Sequence, residues 1–396
     1  MKHPSLPSRV RGIALLEAII GLTLGLIALL VIVQSFASVE RFTRAGAGQA
    51  EAQQRGATTS WRLLRELRMA GAGLGHAPAA WGCTLNVWRD GIQLLPRAGQ
   101  WPAPFANLPQ TLLLTPIAAS DDSGPNDSDQ LLFASGRGAA GVTPVTTSVI
   151  SASQVQATSS TGYRAGDLLL LTDATTVGGC QVGEVDAGYI ALPGVAAPQA
   201  IPTGAISARY NAPTGFTGLP QPGDYLMLNL GSTPSLQMLG VNDDRELVLL
   251  DALGMMTGAE PVVLAQNVRQ FQVLYGLDDG VGGVANDNVI DRWVAPNGAW
   301  AFGTLHSAAT PALQVKAIRL AIVVQTDTPQ GRDGPASLTL FEDLPPALQV
   351  TVPLAAAERG FQFQVYDSVI ALRNEASALC AEHRRLAALP APSICD

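Results

Sequence analysis

Glu17 is the lone carboxylate ahead of Glu40 in the run RGIALLEAIIGLTLGLIALLVIVQSFASVE (residues 11–40), and no charged residue follows it from Ala18 to Val39. An acid at mid-bilayer costs roughly 2.5–3.5 kcal/mol on insertion scales, and less near the interface. Such a position asks for a partner. Gly12 stands five residues earlier. Hydrolysis of the Gly12–Ile13 peptide bond would free the Ile13 amine within a helical turn of Glu17. That cation could pair with this carboxylate or with the same group on a neighbouring chain. The cut would also remove Lys2, Arg9 and Arg11, moving the formal charge from −8 to −11.

Other reactive residue types are sparse. Cys83, Cys180, Cys380 and Cys395 form no C-x-x-C, which speaks against zinc. Outside the cytoplasm they would form two disulfides. Three connectivities are open, and sequence distance favours Cys83–Cys180 with Cys380–Cys395. Two acidic stretches, SDDSGPNDSD (120–129) and DDGVGGVANDNVID (278–291), gather the oxygen donors that Ca2+ takes. Asp278, Asp279, Asp287 and Asp291 in the second are the better candidates. Neither stretch has the twelve-residue calcium-loop pattern, and Asp and Asn are common turn formers. Solvated turns and no cofactor are therefore the expectation. There is no G-x-S-x-G, H-E-x-x-H or P-loop, and the four histidines (3, 76, 306 and 383) are scattered. The GAGLG run (71–75) follows a helix instead of opening one, unlike a dinucleotide fingerprint. No enzymatic activity is expected. The net charge of −8, with no Lys/Arg cluster interleaved with aromatics after residue 70, argues against a nucleic-acid partner.

A helix must position Glu17. About 20 helical residues cross a bilayer core, and the 22 from Ala18 to Val39 are uncharged. Basic residues ahead of the span predict a cytoplasmic N-terminus, with everything after residue 40 exported. A cleaved signal peptide would use Ser35-Phe36-Ala37, but the apolar run exceeds the roughly 7–15 residues of such signals. A plain anchor leaves Glu17 unexplained. A prepilin leader, short, basic and ending in Gly with Glu fifth in the mature chain, accounts for Gly12, Ile13 and Glu17 together. Gly21 and Gly25 add a small-xxx-small pair that lets helices approach closely. The helix is expected to continue to Ala70, about 87 Å in all. Residues 40–70 lack proline, and WRLLRELRMAG is amphipathic. Trp61, Leu64 and Leu67 recur at three-residue steps, flanked by Leu63 and Ala70, with Arg55, Arg62 and Glu66 elsewhere on the wheel. Gly46, Gly48 and Gly56 would bend or loosen it, and Gly71 and Gly73 would end it.

Beyond residue 80 the texture is β-like: TLLLTP (111–116), DQLLFAS (129–135), DLLLLTD (167–173), DYLMLNL (224–230), ELVLLDA (246–252), FQVLYGL (271–277), VKAIRLAIVVQT (315–326) and FQFQVYDSVIALR (361–373). Stretches 136–166 and 194–223 suggest surface loops or weak strands. The predicted class is α+β: a long helix, transmembrane in its first half, packed on a predominantly antiparallel β-domain. The expected divisions are a cytoplasmic leader (1–12), a membrane half of the helix (13–40), an amphipathic half (41–72), a β-rich periplasmic domain (80–374) and a C-terminal extension (375–396).

These pieces together resemble the PilW family of type IV pilus minor pilins. The resemblance rests on the leader and Glu17, LLRELRMAG followed by WGC, DSDQLLFASG, DATTVGGCQVGEV, AQNVRQFQVLYGLDDG, WVAPNGAW, VKAIRLAIVVQT and a final VIALRN (369–374), in the family order. It departs at Ile13-Ala14, where pilins usually carry Phe-Thr, and residues 375–396 extend past the usual end. The resemblance implies a Cys83–Cys180 disulfide and a non-enzymatic structural subunit. It also implies cleavage by a prepilin peptidase and N-methylation at Ile13, with Glu17 serving assembly. The implied partners are other minor pilins, the major pilin and a tip adhesin, first in the inner membrane and then at the pilus tip. The alternatives are a J-type pseudopilin of type II secretion, which shares the helix and sheet domain, and a membrane-anchored periplasmic binding or hydrolytic protein.

Overall fold

The computed structural model describes residues 11–372, apart from 76, 137–143, 148, 152, 174–178, 191–198, 205–208, 220–224, 255–259, 306–308, 328 and 330–333. Most of the leader, all four histidines, the extension, Cys380 and Cys395 lie outside the described residues.

Helix α1 (Arg11–Leu67) runs 57 residues, about 86 Å at 1.5 Å per residue. Its stretch Leu15–Ala37 has a mean hydropathy of 2.7 and is entirely exposed, long enough to cross a bilayer. Hydroxyls within and just past this stretch bond their own helix: Thr23 Oγ1 donates to Ile20 O, Ser35 Oγ to Val31 O and Thr43 Oγ1 to Val39 O, at 2.8–2.9 Å. No hydroxyl donor is thereby left bare where water is scarce. The α-helix stops at Leu67, three residues before the expected Ala70. Tight turns follow, and Gly71 and Gly73 both take φ of +76°, a region open to glycine.

The buried stripe of the second half is Gly56, Thr59, Leu63, Leu67 and Ala70. Those are steps of three and four, the helical period. Trp61 was expected in the stripe and instead lies 64% exposed. At about 100° per residue, strict three-residue steps drift about 60° each, so Trp61 sits about 120° round from Leu67.

Behind α1 the described residues form five sheets. The middle sheet holds β3 (Ile117–Ser120), β4 (Gln130–Ser135), β12 (Ser235–Val241), β13 (Leu247–Asp251) and β14 (Val262–Ala265), in the order β14-β13-β12-β4-β3. Both of its faces are covered. Leu132 and Ala134 of β4 enter one core, while Leu131 and Phe133 enter another. The first core is shared with a six-stranded sheet of β1 (Thr84–Arg89), β2 (Ile92–Leu95), β5 (Val145–Thr147), β8 (Leu168–Asp173), β9 (Gly179–Glu184) and β11 (Tyr225–Gly231), ordered β2-β1-β9-β8-β11-β5. The second is shared with α1 and a four-stranded sheet of β15 (Val268–Leu277), β16 (Arg292–Val294), β17 (Val315–Gln325) and β20 (Phe363–Ala371), ordered β16-β15-β17-β20. A short helix, α2 (Ala309–Gln314), leads into β17. The hairpin β18 (Ser337–Leu340) and β19 (Val350–Pro353) covers the far side of that sheet through Leu340, Phe341 and Val352. This double coverage explains the continuous apolar runs, because a strand buried on both faces has no polar side to alternate with.

Stretches 136–166 and 194–223 were expected at the surface. Their described parts instead build a buried layer. Strands β6 (Val149–Ile150), β7 (Gln154–Ala157) and β10 (Gln199–Pro202) form a small sheet. With Tyr163, Phe216 and Leu219 it covers Leu169 and Leu171 of β8. Single apolar residues spaced among Ser, Thr and Gly carry little pattern, yet Val155, Ala157 and Ile201 are buried. TLLLTP forms no strand but a single bridge, Thr84 with Leu113. Described pairings are antiparallel except β1 with β9.

Candidate assembly site

Glu17 is exposed on α1, two residues inside the apolar stretch. Gly12 and Ile13 are helical in backbone. Ile13 and Glu17 are therefore an i, i+4 pair, neighbours on one helix face. Gly21 and Gly25 continue that i+4 column. A Cβ added at either would meet nothing within 4 Å in this single chain. The column is a carboxylate followed by two notches, a shape that admits the backbone of another helix.

The other half of α1 is held by β20. Tyr366 lays its ring over Gly56, where any Cβ would overlap it, and its Oη donates to Gln53 O at 3.0 Å. Gly56 was expected to loosen the helix; it forms a socket instead. Below it, Ser60, Leu63 and Leu64 face Leu320, Ile322, Ser368 and Ile370. On the other flank a groove of about 520 Å³ separates Gln54, Thr58 and Thr59 from Val263–Gln266 at the free edge of β14. Burial raises the Tyr366 phenol above its ordinary pKa. Sequence reasoning missed this socket: a glycine inside a helix and an aromatic 310 positions later carry no shared signal until the sheet brings them together.

Charge networks brace the sheet that carries β20. Glu358 accepts from Arg269 Nε at 2.8 Å, Arg245 Nη2 at 2.9 Å and Ala355 N at 2.9 Å. Burial pushes Glu358 upward, but the Ala355 N–H and the two guanidinium groups outweigh it, so its pKa falls below the usual range. Arg319 binds Asp343 and Asp367, each at 2.6 Å, over the Phe341 ring.

The two acidic stretches are ordered by their own backbone. Asp278 is fully buried and accepts from Asn286 N and from Asn288 N, the latter at 2.7 Å. Asp291 accepts from Gly280 N at 2.6 Å, and Asp287 from Val289 N at 2.8 Å. Asp279 pairs with Arg292, whose hydrogen bond lowers its pKa. The four candidate carboxylates are thus engaged within the loop. In the other stretch Asp121, Asp122 and Asp129 bring one oxygen each within 4.8 Å of one another and could hold a cation. Burial holds Asp129 well above the carboxylate range, so a cation would compete there with a proton. Backbone N–H groups of Asp122 and Val273 already occupy both its oxygens, at 3.0 and 2.7 Å.

A disulfide joins Cys83 to Cys180, with Cα atoms 5.6 Å apart, the pairing that the family resemblance implies. It clamps the start of β1 to β9 beside their parallel register.

Residues 225–374 match the family model for PilW, Type IV Pilus-assembly protein W. The match spans 150 of the chain's 396 residues. The PilW segment runs from β11 through β20, so it supplies Tyr366, Glu358 and the four-stranded sheet on which α1 rests. Helix α1 and the disulfide lie outside the match. No curated protein and no solved structure matches the chain.

Proposed function

We propose that the chain is a minor pilin of a type IV pilus, a structural subunit of the small complex that primes assembly and presents an adhesin at the tip. One observation carries this reading. A PilW segment holds the second half of a 57-residue helix, while the exposed, apolar first half bears Glu17 five residues after Gly12. A prepilin peptidase would cut after Gly12 on the cytoplasmic side of the inner membrane, and the freed Ile13 amine would be N-methylated. Glu17, costly in lipid, then gains a cationic partner on a neighbouring helix, an attraction strengthened where water is excluded. That gain favours leaving the membrane for a filament of helices. The β-domain stays outside the membrane, stiffened by Cys83–Cys180, and caps its neighbours. Its work is mechanical and needs no catalytic residue or cofactor.

The test is the N-terminus of the envelope-localised protein, determined by mass spectrometry. A chain beginning at methylated Ile13 supports the reading. An intact Met1, or a start near Ser38, overturns it.

A further inference from the structure

The outward face of the end of α1, together with the turn just past Leu67, is chemically unlike the rest of this acidic chain. Trp61, Arg62, Arg65, Arg68 and Met69 are all exposed there, Trp61 by 64% and Met69 by 48%. At about 100° per residue, Arg65 lies about 160° round from the mean direction of the buried stripe, flanked by Trp61 and Arg62, with Arg68 and Met69 in the turn just past the helix. Among the described residues, none of the three guanidinium groups makes an ion pair or a hydrogen bond. Glu66, half-buried on the flank, pairs with none of them. Three unpaired cations therefore share the end of α1 and the turn past it with an exposed indole and a thioether.

We infer that this stripe docks an acidic, apolar-centred protein surface on another pilus subunit, an inference that rests on the pilin reading above. Charge complementarity argues for an acidic partner, since three guanidinium groups close together repel one another until carboxylates pair with them, and Arg holds a carboxylate bidentately. Composition argues for a protein, since Trp, Arg and Met are the residues enriched at the centres of protein interfaces. Lipid headgroups are out of reach. Trp61 stands 24 residues past Ala37, about 36 Å along the helix, against a Debye length of about 8 Å at physiological ionic strength. Nucleic acid is disfavoured because a stripe about 12 Å long would have to hold a phosphate polymer against a chain of net charge −8.

The experiment places a benzophenone photoprobe at position 61 of the full-length chain in piliated cells, with adducts located by mass spectrometry. The expected adduct joins position 61 to a carboxylate-lined surface of a different pilus subunit. Its yield should fall about tenfold in the Arg62→Glu/Arg65→Glu/Arg68→Glu variant. It should return in the corresponding triple Lys variant and weaken at raised salt. Retention of the Cys83–Cys180 disulfide checks that each variant folds. An adduct to a second copy of this chain, to nucleic acid or to lipid overturns the inference. So does no adduct, or a yield indifferent to charge reversal. The N-terminal residue measured in the same cells separates the two failures: methylated Ile13 with no such adduct sinks the stripe alone, whereas an unprocessed terminus sinks the pilin reading.

Discussion

The two halves of α1 belong to one unbroken helix yet obey different solvents. From Leu15 to Ala37 every residue is exposed, and hydropathy alone decides the fate of the segment. From Gly56 to Ala70 only one stripe matters, and its partners are β17 and β20, more than 240 residues away in the chain. The first half is specified by composition and needs no particular neighbour to be apolar enough for lipid. The second is specified by shape, since Gly56 and Leu63 fit only where Tyr366 and Ile322 meet them. The domain's core therefore does not depend on the first half, which contributes no burial to it.

The largest expected effect lies in the domain that holds the second half. Glu358→Gln leaves Arg269, itself only 7% exposed, beside a neutral amide. Breaking such a pair should destabilise the domain by about 3–5 kcal/mol, measured by thermal unfolding of the full chain in detergent. The folded pKa of Glu358 is lowered. Its contribution is present above the unfolded value and is lost as pH falls through the folded one. The wild type should therefore lose more stability on acidification than Glu358→Gln does; equal pH slopes would contradict the network.

Next comes a direct contrast between the halves. Leu67→Ala should destabilise by about 2–5 kcal/mol, as for a buried leucine. Leu24→Ala, at a position 62% exposed, should leave the unfolding of the domain unchanged. If both shift it equally, the first half packs on the domain after all. In assembly the order reverses. Glu17→Ala should insert into the membrane normally yet lower recovery in sheared pili by on the order of 100-fold, the scale of a desolvated pair losing one partner. Recovery equal to wild type would remove the role given to Glu17.

Smaller effects sharpen the socket. Gly56→Ala gains helix propensity of about 1 kcal/mol but overlaps the Tyr366 ring, and such overpacking costs about 1–3 kcal/mol. Adding Tyr366→Ala should make the alanine at 56 harmless or stabilising, a coupling that a double-mutant cycle would read. The smallest effect belongs to Trp61→Ala, expected to change stability by under about 0.5 kcal/mol because the indole touches little of its own chain. A large loss would return Trp61 to the buried stripe.

What was legible in the sequence had a short range. The apolar run, Glu17, the end of the helix near Gly71 and Gly73, and the long strands β15, β17 and β20 all follow from periodicity, run length or residue type within one element. Gly56 and Trp61 were misjudged because the wheel gives a stripe only once its true centre is known, and here Tyr366 sets the centre. The small sheet of β6, β7 and β10 escaped because its apolar residues are isolated among Ser, Thr and Gly. The Asp90-Gly91 turn between β1 and β2, with φ of +51° and +79°, was there to be found, since Asp-Gly between apolar strands is a strong hairpin signal.

By itself the sequence determined the class of molecule, an apolar helix with one acid at its mouth and a β-rich body, because hydropathy and charge act locally and survive without coordinates. The tertiary structure decided which face of the helix is held and which is free, and that three arginines and a tryptophan share the free one. Both depend on where strands distant in the chain come to lie, which close packing settles and local pattern does not.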